Sequence, residues 1–160
     1  MRCARAGHRV TLEDVMPEKL RRAEDEYAAV AGELAGSLRY ALTVEDAVRD
    51  ADIAIDFVPD ELESKLEIFC LLDRMAPPRT ILCTPTNALS ITDLASCTYR
   101  AERCVGLRGP SLLAGDVELM RSKFLSDEVE AAVIGLWQRL GLAITAVADV
   151  EPMLIKNLPR

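Results

Sequence analysis

The chain has 160 residues, half of them apolar and 28% charged, with a formal net charge of −7. That length and composition describe one globular domain with a single core and no disorder signature. An acidic balance without a Lys/Arg run argues against nucleic-acid binding, no apolar run reaches ~18 residues, and MRCARAGHRV lacks a signal-peptide core, so a cytoplasmic protein without a membrane span is expected.

The opening MRCARAGH reads as the last turns of a helix, closed by Gly7 as C-cap. Residues 9–15, RVTLEDV, alternate in the manner of a strand, and Pro17 is suited to the first turn of the helix that follows. Leu20, Ala23, Tyr27, Val30 and Ala31 recur at helical spacing, which predicts an amphipathic helix from 18 to about 34, ending near Gly36. A short segment at 40–42 leads to Thr43, placed to cap a brief helix VEDAVRD. ADIAIDFV (51–58) is a near-continuous apolar run broken by Asp56, the pattern of a strand buried on both faces.

A helix carrying Leu62, Leu66, Phe69 and Leu72 follows and stops before Pro77-Pro78. TILCTP (80–85) is a strand. Ser90 and Asp93 make a capping-box-like pair on the short helix SITDLA (90–95). ERCVGL is the next strand, and it delivers Arg108 beyond its end, ahead of DVELM (116–120). Ser126 caps the last long helix, whose stripe is Val129, Val133, Leu136, Trp137 and Leu140. LAITAV (142–147) is the final strand.

Strands alternating with helices predict an α/β fold, a doubly wound, Rossmann-like and mostly parallel sheet. Such a domain begins with a strand, a G-x-G-x-x-G turn and a helix receiving the pyrophosphate on its N-terminus. The strand and turn are missing ahead of MRCARAGH, so the fold is expected to be N-terminally truncated. Residues 1–150 are assigned to an incomplete NAD-binding domain and 151–160 to the start of a connector. Five scattered cysteines, at 3, 70, 83, 97 and 104, lack the close pairing of a zinc site. They read as small buried apolar residues, and no metal is expected.

The stretches AGHRVTLEDVMPEKL, ADIAIDFVPDELESKLEIF, RTILCTPTNALSITDLA and ERCVGL resemble the NAD-binding domain of the 3-hydroxyacyl-CoA dehydrogenases, and the likeness covers nearly the whole chain in order. The resemblance implies an NAD-dependent oxidoreductase of fatty acid metabolism. It implies that Asp14, at the end of its strand, accepts hydrogen bonds from the adenosine ribose hydroxyls and favours NAD over NADP. Asp60 and Lys65 match the family's acidic and basic pair near the cofactor. Read from the sequence alone, Asp14 is also a good turn residue before Pro17, and Lys65 fits a solvated helix face.

The catalytic positions match less well. The family's strand ends in Gly-Leu-His-Phe-Phe-Asn-Pro, with the histidine as proton acceptor; here Gly106-Leu107-Arg108-Gly109-Pro110 is two residues shorter. The glutamate that orients that histidine corresponds to Glu118. The family's Asn-Thr-Ser-Ser turn reads Pro85-Thr86-Asn87-Ala88, which places Asn87 at the cofactor without the serine hydroxyl. The family's Pro-Gly-Phe-x-x-Asn-Arg exit puts Lys156 in place of the substrate-site asparagine, or Asn157 if the register slips by one.

Arginine stays protonated in proteins, so Arg108 cannot act as base. His8 is the only histidine, and it belongs to a turn at the amino edge, roughly 20 Å from the carboxyl edge where ligands bind. An Arg108–Glu118 ion pair is expected where the family has His–Glu. Three outcomes follow: a truncated dehydrogenase, inactive or incomplete as this chain; a non-catalytic interaction protein on the same fold; or a gene fragment. The expected partners are an acyl-CoA-type small molecule and, for the fold itself, a second copy or a second chain.

Overall fold

The computed structural model describes residues 2–33, 35–112 and 114–154. Helix α1 (Arg2–Arg5) ends at Gly7, whose φ of +89° is the left-handed turn that lets the chain reverse into β1 (Arg9–Glu13). Pro17 opens α2 (Pro17–Ala28), a single 3₁₀ turn follows, and β2 (Ser37–Ala41) pairs in parallel with β1. The helix is thus shorter than the apolar spacing predicts. Thr43 caps α3 (Val44–Val48), its hydroxyl accepting from the Asp46 N–H at 3.2 Å.

β3 (Ile53–Ile55) is three residues long rather than the eight of the apolar run. The chain leaves the sheet after Asp56, and Phe57 is 71% exposed. Then come α4 (Leu62–Met75), β4 (Ile81–Pro85), α5 (Ile91–Ala95) and β5 (Cys104–Arg108). DVELM contributes β6 (Val117–Arg121), antiparallel to β5. Ser126 caps α6 (Asp127–Arg139), and β7 (Ile144–Ala148) pairs in parallel with β6.

The α/β class and the mostly parallel sheet are as expected: of the five ladders, only β5–β6 is antiparallel. The strand order is β3-β4-β5-β6-β7, with β1-β2 as a separate pair. Side chains alternate between two cores, one on each face of the sheet. Leu82 faces Phe69, Leu72, Ile91 and Leu94 of α4 and α5, whereas Ile81 and Cys83 face Val133, Leu136 and Trp137 of α6. α5 seats on β5 because Gly106 leaves room there; a Cβ at that position would lie 3.2 Å from the Ile91 Cβ.

The two sheets are tied from both faces by helices. On one, α1 places Cys3 against the α6-side core and Arg2 donates to the Leu140 carbonyl at 3.3 Å. On the other, α3 packs on β1, β2 and α4. Among the described residues no helix is long and apolar enough to cross a membrane.

Candidate functional site

The carboxyl ends of β3, β4 and β5 border a cavity of about 200 Å³, lined by Val58, Asp60, Thr86, Asn87, Leu107 and Gly109 among others. In an open α/β sheet this edge is where ligands bind. Asp60 and Asn87 meet here: an Asp60 carboxylate oxygen accepts from the Asn87 main-chain N–H at 2.9 Å. That bond fastens the turn after β3 to the turn after β4, and both residues remain exposed.

Arg108 ends β5 opposite Glu118 on β6, and its Nε donates to Glu118 Oε2 at 2.6 Å. The ion pair expected between them is present. Only Nε is engaged in that bond, so the two Nη groups extend the donor fork, and the side chain is 31% exposed. The pair therefore offers a cation and no proton acceptor with a free lone pair on Arg108.

Asp14 lies just beyond the end of β1. One carboxylate oxygen accepts from the Met16 N–H at 2.8 Å and the other sits 3.2 Å from Lys19 Nζ. The Met16 N–H holds its carboxyl below the usual aspartate range, with the hydrogen bond from Lys19 adding to it. The turn reading of Asp14 is seen directly, in its bond to the Met16 N–H ahead of Pro17, and the carboxylate lies at the carboxyl end of β1.

Lys65 departs from the surface expectation. It is fully buried, and its Nζ donates to Asp56 Oδ1 at 2.7 Å. A buried ammonium needs such a partner, because leaving it unpaired in the interior costs several kcal/mol, of order 3–5. Lys65 is accordingly neither on a solvated face nor open to a ligand, and it does not fit a direct cofactor contact. Asp56 was visible in the sequence as the charge interrupting ADIAIDFV, and a charge in a doubly buried strand demands a partner.

Asp149 was not among the candidates. Its carboxylate accepts from Ser90 Oγ at 2.7 Å, Ile91 N–H at 3.1 Å and Thr92 N–H at 2.8 Å, capping α5 from 59 residues away in sequence. Ser90 in turn accepts from Asp93 N–H at 3.2 Å. The Asp93 carboxylate turns outward to the Met153 and Leu154 N–H groups, at 2.6 and 3.0 Å, instead of closing a capping box. Such a contact has no local sequence signal. Lys156 and Asn157 lie outside the described residues.

The cysteines divide. Cys83 and Cys104 are buried, as expected, and burial pushes the Cys104 thiol up to about 12 and Cys83 higher still. Cys70 and Cys97 are exposed and Cys3 is half-buried, contrary to the reading of all five as core residues. The physical reason is that Cys70 sits on the outer side of α4 and Cys97 past the end of α5. Among the described residues no cluster of three or more His, Cys, Asp or Glu is placed to hold a metal.

Residues 1–150 match the 3-hydroxyacyl-CoA dehydrogenase, NAD binding domain family. The chain belongs to that family. It is 34% identical over 142 residues to the "Probable 3-hydroxybutyryl-CoA dehydrogenase" of Bacillus subtilis, covering 88% of this chain and 47% of the relative. The crystal structure of 3-hydroxybutyryl-CoA dehydrogenase from Escherichia coli K12 superposes with a TM-score of 0.79 at 26% identity, over 96% of this chain and 36% of that one. The crystal structure of 5-formyl-3-hydroxy-2-methylpyridine 4-carboxylic acid 5-dehydrogenase, an NAD+ dependent dismutase, also gives 0.79, at 25% identity, over 97% of this chain and 55% of that one. The chain spans about half the length of the curated relatives it matches.

Proposed function

We propose that this chain is the dinucleotide-binding part of an oxidoreductase of the 3-hydroxyacyl-CoA dehydrogenase type, and that its own residues bind without completing alcohol oxidation. The observation that carries this reading is the Arg108–Glu118 pair at the end of β5. NAD, when bound, supplies the hydride acceptor. The residues of the chain position it: the Asp14 carboxylate is suited to ribose hydroxyls, and the Asp60–Asn87 bond keeps the two turns of the cavity together.

Oxidation of an alcohol also needs a group that takes the hydroxyl proton, with a pKa near the working pH. The guanidinium of Arg108 has no acceptor to offer, and Glu118 Oε2 is already occupied by the Arg108 Nε–H at 2.6 Å. What the pair offers instead is anion recognition through the free Nη groups, matched to a carboxylate or phosphate of an acyl-CoA-type ligand.

Titration of the chain with NADH by calorimetry, followed by acetoacetyl-CoA with NADH absorbance recorded, tests both halves. NADH is expected to bind more weakly than the micromolar range, because the chain contains no G-x-G-x-x-G turn to cradle a pyrophosphate. No NADH is expected to be consumed, and Arg108→His is expected to restore none, since Asn87 and the shortened loop differ as well. Micromolar NADH affinity overturns the first expectation; turnover by the unaltered chain overturns the second.

A second reading is supported by the sheet. Among the described residues β1–β2 makes no ladder with β3, and a strand edge without a ladder is suited to pairing with a further strand. On that reading the fold serves as an interaction module completed by a second copy or a second chain. Sedimentation of the purified chain tests it: a lone monomer with a cooperative melt counts against the interaction role.

A further inference from the structure

Cys70 and Cys97 are both exposed and lie against each other: the Cys70 thiol is 3.9 Å from the Cys97 carbonyl oxygen. What keeps them together is a buried clamp one turn along α4. Asp73, three residues after Cys70 and so on the same helix face, accepts from the Tyr99 N–H at 2.9 Å and from Arg100 Nε at 2.8 Å. The Arg100 guanidinium also donates to the carbonyls of Asp73, Ala76 and Pro77, so the segment after Cys97 is pinned to the end of α4. Before Cys97, α5 is held by its own caps, and the Cys97 N–H donates to the Leu94 carbonyl at 3.2 Å. The two cysteines therefore sit on backbone fixed from both directions, while their side chains stay open to solvent.

We propose that Cys70 and Cys97 form a dithiol modification site that closes to an intrachain disulfide when the chain meets a hydroperoxide. A thiolate of the pair attacks the hydroperoxide; an S–O bond forms, the O–O bond breaks, and an alcohol leaves with the thiol's proton. The second thiol then attacks the sulfenic sulfur; the S–S bond forms, the S–O bond breaks, and water leaves. Two thiols are oxidised by two electrons and one hydroperoxide is reduced to an alcohol and water. Closing the bond asks the Cys97 thiol to leave the Asp93 carbonyl, 3.7 Å away, and turn toward Cys70, while the clamp keeps the Cys97 backbone beside the Cys70 thiol. The bond staples α4 to the end of α5. Cys83 and Cys104 take no part, since burial shields them from the oxidant.

The whole chain is treated with a slight excess of hydrogen peroxide, and thiols are titrated in denaturant. The expected result is a loss of two thiols from five, with a cross-linked pair of tryptic peptides, residues 66–74 and 80–100. The loss is expected to vanish in Cys70→Ser and in Cys97→Ser and to persist in Cys83→Ala. Without oxidant, the reduced chain is expected to bind one equivalent of phenylarsine oxide, which needs two neighbouring thiols, and either serine variant is expected to bind none. An unchanged thiol count, a cross-link between chains, separate sulfinic acids at the two cysteines, or a bond that persists without Cys97 each overturns the proposal.

Discussion

Lys65 shows how far one residue's environment departs from its place in the sequence. On a helix wheel it is an ordinary basic position; in the fold it is enclosed and bound to Asp56. Both partners left water to make that bond, so the pair itself is weak evidence for stability, but breaking it leaves a buried charge without compensation. Lys65→Met is expected to lower unfolding free energy by about 3–5 kcal/mol in urea denaturation, and the double change Lys65→Met with Asp56→Leu to recover most of it. A loss under about 1 kcal/mol for the single variant would place Lys65 outside the core. Asp56 was readable as a charge in an apolar strand, but which cation answers it was not. Arg108 and Glu118 were readable together through the family resemblance, which set them at the His–Glu positions, and the β5–β6 register brings them opposite.

At the scale of elements, local rules placed most boundaries. Thr43, Ser90 and Ser126 cap their helices through the expected side-chain hydrogen bonds. Pro17 starts α2, and Gly7 stops α1. The errors are of length. β3 is cut to three residues because the backbone after Asp56 turns toward the cavity, a decision that apolarity does not encode. α5 is the element least able to stand alone, with five residues and a partner carboxylate on a distant strand end. Asp149→Ala removes three acceptor contacts at once and is expected to cost about 2 kcal/mol, read from chemical denaturation. Asp149→Asn keeps one acceptor oxygen and is expected to fall between the two.

Across the whole molecule, the two apolar faces of the sheet each bury one cysteine, Cys104 on the α4 side and Cys83 on the α6 side. Their thiols are raised from an ordinary 9.0, Cys104 to about 12. A group raised in the folded state adds stability that is complete below its unfolded value and is lost as pH rises through the folded one. Stability is therefore expected to hold up to about pH 9 and to fall steadily from there toward pH 12, by at most about 1.4 kcal/mol per pH unit for each thiol. Denaturation midpoints measured from pH 8 upward should decline more gently in Cys83→Ala and Cys104→Ala. Equal slopes in variant and parent would show that these thiols do not govern the alkaline limb.

The sequence by itself determined the α/β class, the order of the elements and most of their caps, because periodicity, capping and turn chemistry act over a few residues; the residues at the carboxyl edge came from the family resemblance. It also determined that Arg108 cannot accept a proton, since that is a property of the guanidinium wherever it lies. Only the tertiary structure decided that Lys65 is enclosed by Asp56, that Asp149 caps α5, that Cys70 and Cys97 meet at the surface, and that β1–β2 stands apart from β3. Each of these joins residues distant in the chain, and the free energy that selects such contacts comes from burial and the pairing of desolvated groups, which are settled only once the elements pack.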